Sequence, residues 1–370
     1  MQKGILIVLS LGLLGMSVSC GVMRPRWKSV SITKPEIEVA DLLNLKYDEL
    51  KKLKAKPLYK FSPQELDIYL GYLQSVEPDL RLRIQHLARK CLGQPYDIYL
   101  LGEFPFEIYD PQPLFSLSKS DCVVFSEHIY AMALSYDWKS FFAMLQRIRY
   151  KNGEIGLATR NHYTEFDWDV NNAWLVRDIT EKLGGQEVVR VTTVVDRAKF
   201  LSRWGIGQII PVDTVTWSYL PVELLPKVIH QLKPGDFVNI VRGYEDNKWV
   251  GHVGLITVSD DGTVNFLHST HPRVKEEPLL GLYENAAKEN EAKRLYNEKV
   301  QQKNQKIIAY NEQLKQKHGG KASNKTKKLL ATRPYFYGFK FLRLQDDPIW
   351  ELMKIEGPFA PKVKIGPFID

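Results

Sequence analysis

An α+β fold, with a helical N-terminal part packed on an antiparallel sheet, is what this 370-residue sequence predicts. Three observations predict it. Apolar residues recur at helical spacing from about residue 62 to 150. From about Glu187 the recurrence changes to the two-residue alternation of strands. A Lys-rich helical stretch interrupts the strands before alternation returns at Tyr337 to Leu344. Hydrophobic content of 44% and aromatic content of 11% belong to a globular chain with a large core. The formal net charge of +8 comes largely from the Lys-rich stretch and bears little on the core. No zinc-finger spacing, phosphate-binding Gly loop or RNA-binding aromatic motif is present, so nucleic acid is not an expected partner.

Residues 1–19 read as a signal peptide: Lys3, then the apolar run Ile5 to Met16, too short to span a bilayer. Ser17-Val18-Ser19-Cys20 resembles the lipobox of bacterial lipoproteins, with Ser17 where Leu is usual. That resemblance makes Cys20 the expected lipidation site. The chain is expected to be exported and anchored by lipid to the bacterial cell envelope, facing the periplasm. Residues 20–58 read as a tether with a short amphipathic piece. The main domain is expected over 59–283 and 334–346, with a charged helical insertion at 284–333 and a C-terminal tail at 347–370.

Ser62-Pro63-Gln64-Glu65 is a capping box with proline at the first helical position, and predicts a helix to about Ser75. A second helix follows from Pro78 to near Gly93, with Leu80, Ile84, Leu87, Ala88 and Cys91 on one stripe, so Cys91 is expected in the core. Ser120 and Asp121 are N-cap residues for a helix that starts at Cys122. A thiol there meets free N–H groups and the positive end of the helix dipole, which favour the nucleophilic thiolate. The alternative is a buried, inert cysteine. Asp137 caps the next helix, and Asn152-Gly153 marks a tight turn. The polar and aromatic stretch from Arg160 to Asn172 has no clear period and reads as a loop.

Strands are expected over Val188 to Val195, Phe237 to Val241 after the Pro234-Gly235-Asp236 turn, Trp249 to Val258 and Thr263 to Thr270. A thiol nucleophile needs an imidazole to take its proton, and that imidazole needs an orienting group. If Asp260-Asp261-Gly262 is a three-residue loop with Gly262 left-handed, Gly254 faces His268 and His252 faces Thr270. His252 and His268 then share a sheet face in diagonal contact. A two-residue loop would bring Ser269 or His271 there instead. The three-residue loop is adopted because Gly262 suits it. No metal is expected, since no compact Cys/His ligand cluster exists.

These residues, in order, resemble a family. Gly93-Gln94-Pro95-Tyr96, Asp121-Cys122, Pro234-Gly235-Asp236, Gly251-His252-Val253-Gly254 and Phe266-Leu267-His268 follow the sequence of motifs in NlpC-type cell-wall hydrolases, which have a papain-like fold. Ile148-Arg149-Tyr150-Lys151-Asn152-Gly153 and Arg160-Asn161-His162-Tyr163 look like the N-acetylmuramoyl-L-alanine amidase-like branch, long catalogued as a domain of unknown function. Val124 and Ser126 depart from the pattern without removing a catalytic atom. The resemblance implies a cysteine amidase that cuts the bond between N-acetylmuramic acid and L-Ala in muropeptides. Cys122 would attack, His252 would be base and acid, His268 would orient it, and Tyr96 and the Cys122 N–H would hold the oxyanion. Asp121 would cap the helix or touch substrate, pointing away from the sulfur. Arg149, Arg160, His162 and Trp168 would grip the muropeptide. No cofactor is expected, and the chain is expected to be a monomer that meets the membrane through Cys20. The alternatives are a γ-D-glutamyl endopeptidase of the stem peptide and a cell-wall-binding lipoprotein without catalysis.

Overall fold

The structure is a computed structural model that describes residues 30–206, 211–317, 325–358 and 364–365. The expected signal peptide 1–19 and Cys20 lie outside the described residues. The segment expected to be a tether instead holds two helices, α1 (Lys34–Leu42) and α2 (Tyr47–Ala55). Their Ala40, Leu50 and Leu53 are buried in the main core. Glu36 accounts for the difference: it caps α1 from the Thr33 box and also takes Lys54 at 2.7 Å and the Tyr72 hydroxyl. A short amphipathic pattern thus becomes a packed layer once a charged side chain finds two partners.

Four helices follow as their caps predict: α3 (Pro63–Val76), α4 (Leu80–Lys90), α5 (Cys122–Ala133) and α6 (Trp138–Arg149). The second of these begins at Leu80, after an Asp79 cap, rather than at Pro78. The loop expected over Arg160 to Asn172 contains a wide helical turn at Thr164–Trp168 that runs into Asp169–Asn171.

The strands are β1 (Glu154–Ile155), β2 (Val176–Asp178), β3 (Val189–Val195), β4 (Asp213–Pro221), β5 (Phe237–Gly243), β6 (Lys248–Val258), β7 (Val264–Thr270), β8 (Arg273–Pro278), β9 (Tyr335–Leu344) and β10 (Lys364–Ile365). The main sheet runs β3-β4-β9-β5-β6-β7-β8, with β2 also against β9, and its pairs are antiparallel. Helices α4 and α5 pack on one face, where Ile84, Phe125 and Ile129 meet Phe237, Leu255 and Leu267, and α3 and α6 pack against α5. The other face carries Val238, Ile240, Ile256, Phe266, Phe339 and Phe341. The tail is part of the fold as well: helix Pro348–Glu356 buries Leu352 and pairs Glu356 with Arg147 at 2.7 Å, and β10 runs parallel to β1.

The charged insertion is one 39-residue helix, Leu279–Lys317, followed by an extended return into β9. Asn290, Asn297, Asn304 and Asn311 recur every seven residues along it. Each amide both donates to and accepts from the backbone of one returning residue: Phe336, Arg333, Leu330 and Lys327 in turn, at 2.7–2.9 Å. Seven helical residues advance about 10.5 Å, and three extended residues about 9–10 Å. The two periods match, so side chains satisfy the return chain as a neighbouring strand would.

Candidate active site

Asp121 caps α5, its Oδ1 accepting the Val124 N–H at 2.8 Å. Ser120 does not cap. It ties the helix start to β7, where Ser269 Oγ donates to the Ser120 carbonyl at 2.7 Å. The Cys122 sulfur takes the backbone N–H of Val253 on β6. The first turn of α5 is therefore fastened to β6 and β7 where those strands stop pairing, since their ladder runs from Val258–Val264 only to Leu255–Leu267.

The hairpin has the predicted register. Ser259 N–H donates to the Thr263 carbonyl, leaving Asp260-Asp261-Gly262 as the loop, with Gly262 at φ +83°. His252 and His268 are brought into contact, Nε2 to Nδ1 at 2.5 Å. Beyond them stands Glu277 on β8, which the sequence reading missed. Its Oε1 is 3.0 Å from His268 Nε2, and its Oε2 takes Lys275 at 2.7 Å. Glu277 lies diagonally across from His268, which pairs with Lys275. Lys275-Glu276-Glu277 offers two glutamates, and only the β7–β8 register chooses between them.

This chain sets the tautomers, by hydrogen-bond logic. The hydrogen bond from His268, with Lys275, holds Glu277 down to about 2, so it is an acceptor. His268 then carries its proton on Nε2 and offers Nδ1 as acceptor. His252 must donate from Nε2, which leaves its Nδ1 lone pair free for a proton. Burial first, then His268 and Arg242, lower His252 to about 3, so it rests neutral.

The expected stabilised thiolate is not found. Burial, and after it the charge of Asp121, pushes the Cys122 thiol up to about 12, and the N–H groups of Val253, Val123 and Cys122 only partly oppose this. Desolvation outweighs the helix terminus. Asp121 caps as expected but is not electrically remote from the sulfur. Tyr96 sits near Cys122: it bridges to Ser120, and burial followed by the charges of Cys122 and Asp121 raises its phenol. Cys91 is buried and free, as expected.

Of the four residues expected to grip substrate, Trp168 and Arg149 are buried, while Arg160 and His162 are partly exposed and line a cavity with Arg197 and Phe200; all four already have protein partners. Trp168 is 1% exposed, stacked on Phe237 at 4.5 Å, and donates to Glu127 at 3.1 Å, so it has no face for a sugar. Arg149 is buried against Glu127 at 3.4 Å and the Leu101 carbonyl at 3.2 Å. Arg160 holds Asp110 at 2.8 Å and the same carbonyl at 3.2 Å. His162 bonds the Leu157 carbonyl at 2.8 Å and packs on Phe200. The two arginines clamp the loop before α5; the sequence could not separate a buried guanidinium with carboxylate partners from one awaiting a carboxylate ligand. Among the described residues, no group of three or more His, Cys, Asp or Glu is arranged to hold a metal ion.

A family model described as AmiA-like, N-acetylmuramoyl-L-alanine amidase-like, matches residues 86–287, a span that holds every residue of this site. No curated protein matches the chain. Among solved structures, a Legionella pneumophila protein of the domain-of-unknown-function family 1460 is similar over 76% of this chain and 95% of its own, with a TM-score of 0.54 and 16% identity. At that identity the likeness speaks to the fold alone. An N-acetylmuramoyl-L-alanine amidase from Bacteroides uniformis is similar over 72% of this chain and 99% of its own, with a TM-score of 0.48 and 17% identity.

Proposed function

The chain belongs to the N-acetylmuramoyl-L-alanine amidase-like family of cell-wall hydrolases, and from that premise we propose that it is a cysteine amidase cutting the bond between N-acetylmuramic acid and L-Ala in peptidoglycan fragments. The observation that carries this reading is the hydrogen-bonded chain Glu277–His268–His252, one peptide from the amide that binds the Cys122 sulfur. The order of a helix-borne cysteine followed by strand-borne histidines supports kinship with the papain-like NlpC enzymes.

The thiol gives its proton to His252 Nδ1 as sulfur bonds to the lactyl carbonyl carbon. Holding both groups neutral until that moment means that no resting charge has to be buried. The developing oxyanion takes the Cys122 N–H and the Tyr96 hydroxyl. The C–N bond then breaks, the L-Ala nitrogen takes the proton from His252, and a thioester remains. Water, deprotonated by the same imidazole, releases the muramic acid carboxylate and restores the thiol. The enzyme works after export, held to the envelope by lipid on Cys20.

The test is incubation with purified muropeptides and mass spectrometry of the products. Release of the intact stem peptide beginning at L-Ala, together with the free muramic acid sugar, is expected. A sugar still bearing L-Ala and D-Glu would overturn the amidase assignment in favour of cleavage after γ-D-Glu.

Glu277 acts through His268 and is a positioning residue. Glu277→Gln is expected to lower kcat by roughly 10- to 100-fold with KM little changed, because the imidazole pair loses the charge that sets its tautomers. Parallel changes in kcat and KM, or unaltered kcat, would remove it from that role.

A further inference from the structure

Residues 299–330 contain nine lysines and one glutamate, an excess equal to the whole formal charge of +8, so the rest of the chain is electrically balanced. Beyond Val300 none of the described residues of the helix, nor of the return as far as Tyr335, is buried. The helix runs on to Lys317 and so projects about 25 Å past its last buried contact. The asparagine ladder keeps this projection ordered, with Lys327 over Tyr310 at 4.5 Å between rungs. Aliphatic side chains stand among the lysines: Ile308 is 44% exposed, Leu329 55% and Leu330 44%. Helix and return therefore form an ordered arm that contributes little to the core.

We propose that the distal arm docks on an anionic lipid surface, with lysines on the headgroup phosphates and Ile308, Leu329 and Leu330 at the acyl boundary. Charge complementarity supplies the attraction. The aliphatics decide between polyanions: a hydrated wall polymer or nucleic acid gives them nothing to bury in, whereas the headgroup boundary does. Among the described residues no helix is long and apolar enough to cross a membrane, so the contact is peripheral. The proposal stands independently of the hydrolase reading.

The full chain is sedimented with phosphatidylcholine vesicles and with vesicles containing about one third phosphatidylglycerol. The N-terminal apolar run contributes to both, so the ratio of the two affinities is the readout. Wild type is expected to prefer the anionic vesicles by roughly tenfold or more, the preference fading in high salt. Lys303→Gln/Lys306→Gln/Lys315→Gln/Lys328→Gln should bring the ratio close to one, with muropeptide hydrolysis and thermal unfolding unchanged. Leu329→Ser/Leu330→Ser, which keeps every charge, should weaken binding to anionic vesicles severalfold. A wild-type ratio near one, a preference kept by the lysine variant, or full binding by the leucine variant would each overturn the proposal. So would salt-sensitive capture on isolated peptidoglycan sacculi without vesicle preference, which would assign the arm to the wall polymer.

Discussion

Turnover of muropeptides should fall by on the order of 10⁴- to 10⁶-fold in Cys122→Ala, and His252→Ala should fall close to the same floor. The proposed nucleophile and base would act as one unit, so the double variant should be no slower than either single one. A His252→Ala enzyme within tenfold of wild type would break the proposed proton path. The pH dependence follows from the resting protonation states. His252 titrates at about 3, so it remains an unprotonated base down to that pH, and kcat/KM should show no acid limb near the ordinary imidazole value. Cys122 loses its proton only at about 12. Alkylation by iodoacetamide should therefore be slow at pH 7 and rise about tenfold per pH unit in alkaline solution. Fast labelling at pH 7 would mean a resting thiolate–imidazolium pair in place of the neutral one.

The largest loss of stability is expected from Asp236→Ala, at about 3–5 kcal/mol in denaturant unfolding. Asp236 is fully buried in the turn before β5. It accepts from Arg81 of α4 at 3.2 Å, from Arg343 of β9 at 3.0 Å and from the Lys233 N–H at 2.9 Å. Alanine leaves the partly buried Arg343 guanidinium without a counter-charge, leaves Arg81 only the exposed Asp346 carboxylate at 3.9 Å, and opens the turn. Asp236→Asn keeps an acceptor for Lys233 and should lose less. A loss under about 1 kcal/mol for Asp236→Ala would show that water replaces the carboxylate.

The parts of the fold legible beforehand were those carried by local chemistry. Caps at Ser62, Asp121 and Asp137 and the helical stripes after them placed α3, α5 and α6 within a residue or two. Gly262 placed the hairpin register, and with it the contact between His252 and His268. β4 escaped notice even though Val215, Trp217 and Tyr219 alternate, because it is held between β3 and β9, a strand more than a hundred residues later, and pairing, not pattern alone, makes it a strand. The seven-residue recurrence of asparagine was in plain view. Its meaning depended on an extended chain running alongside, which no helical pattern announces.

By itself the sequence determined which groups are candidates for the proposed acyl transfer and in what order the chain presents them, because capping, turn geometry and strand alternation act over a few residues. Tertiary structure alone decided how those groups behave. Burial holds the Cys122 thiol protonated against the pull of the helix terminus. The β7–β8 register selects Glu277 over Glu276 to steer His268. Close packing turns Trp168, Arg149 and Arg160 from apparent ligand-binding residues into braces. Solvation and cross-strand contact are properties of neighbours distant along the chain, so no local pattern encodes them.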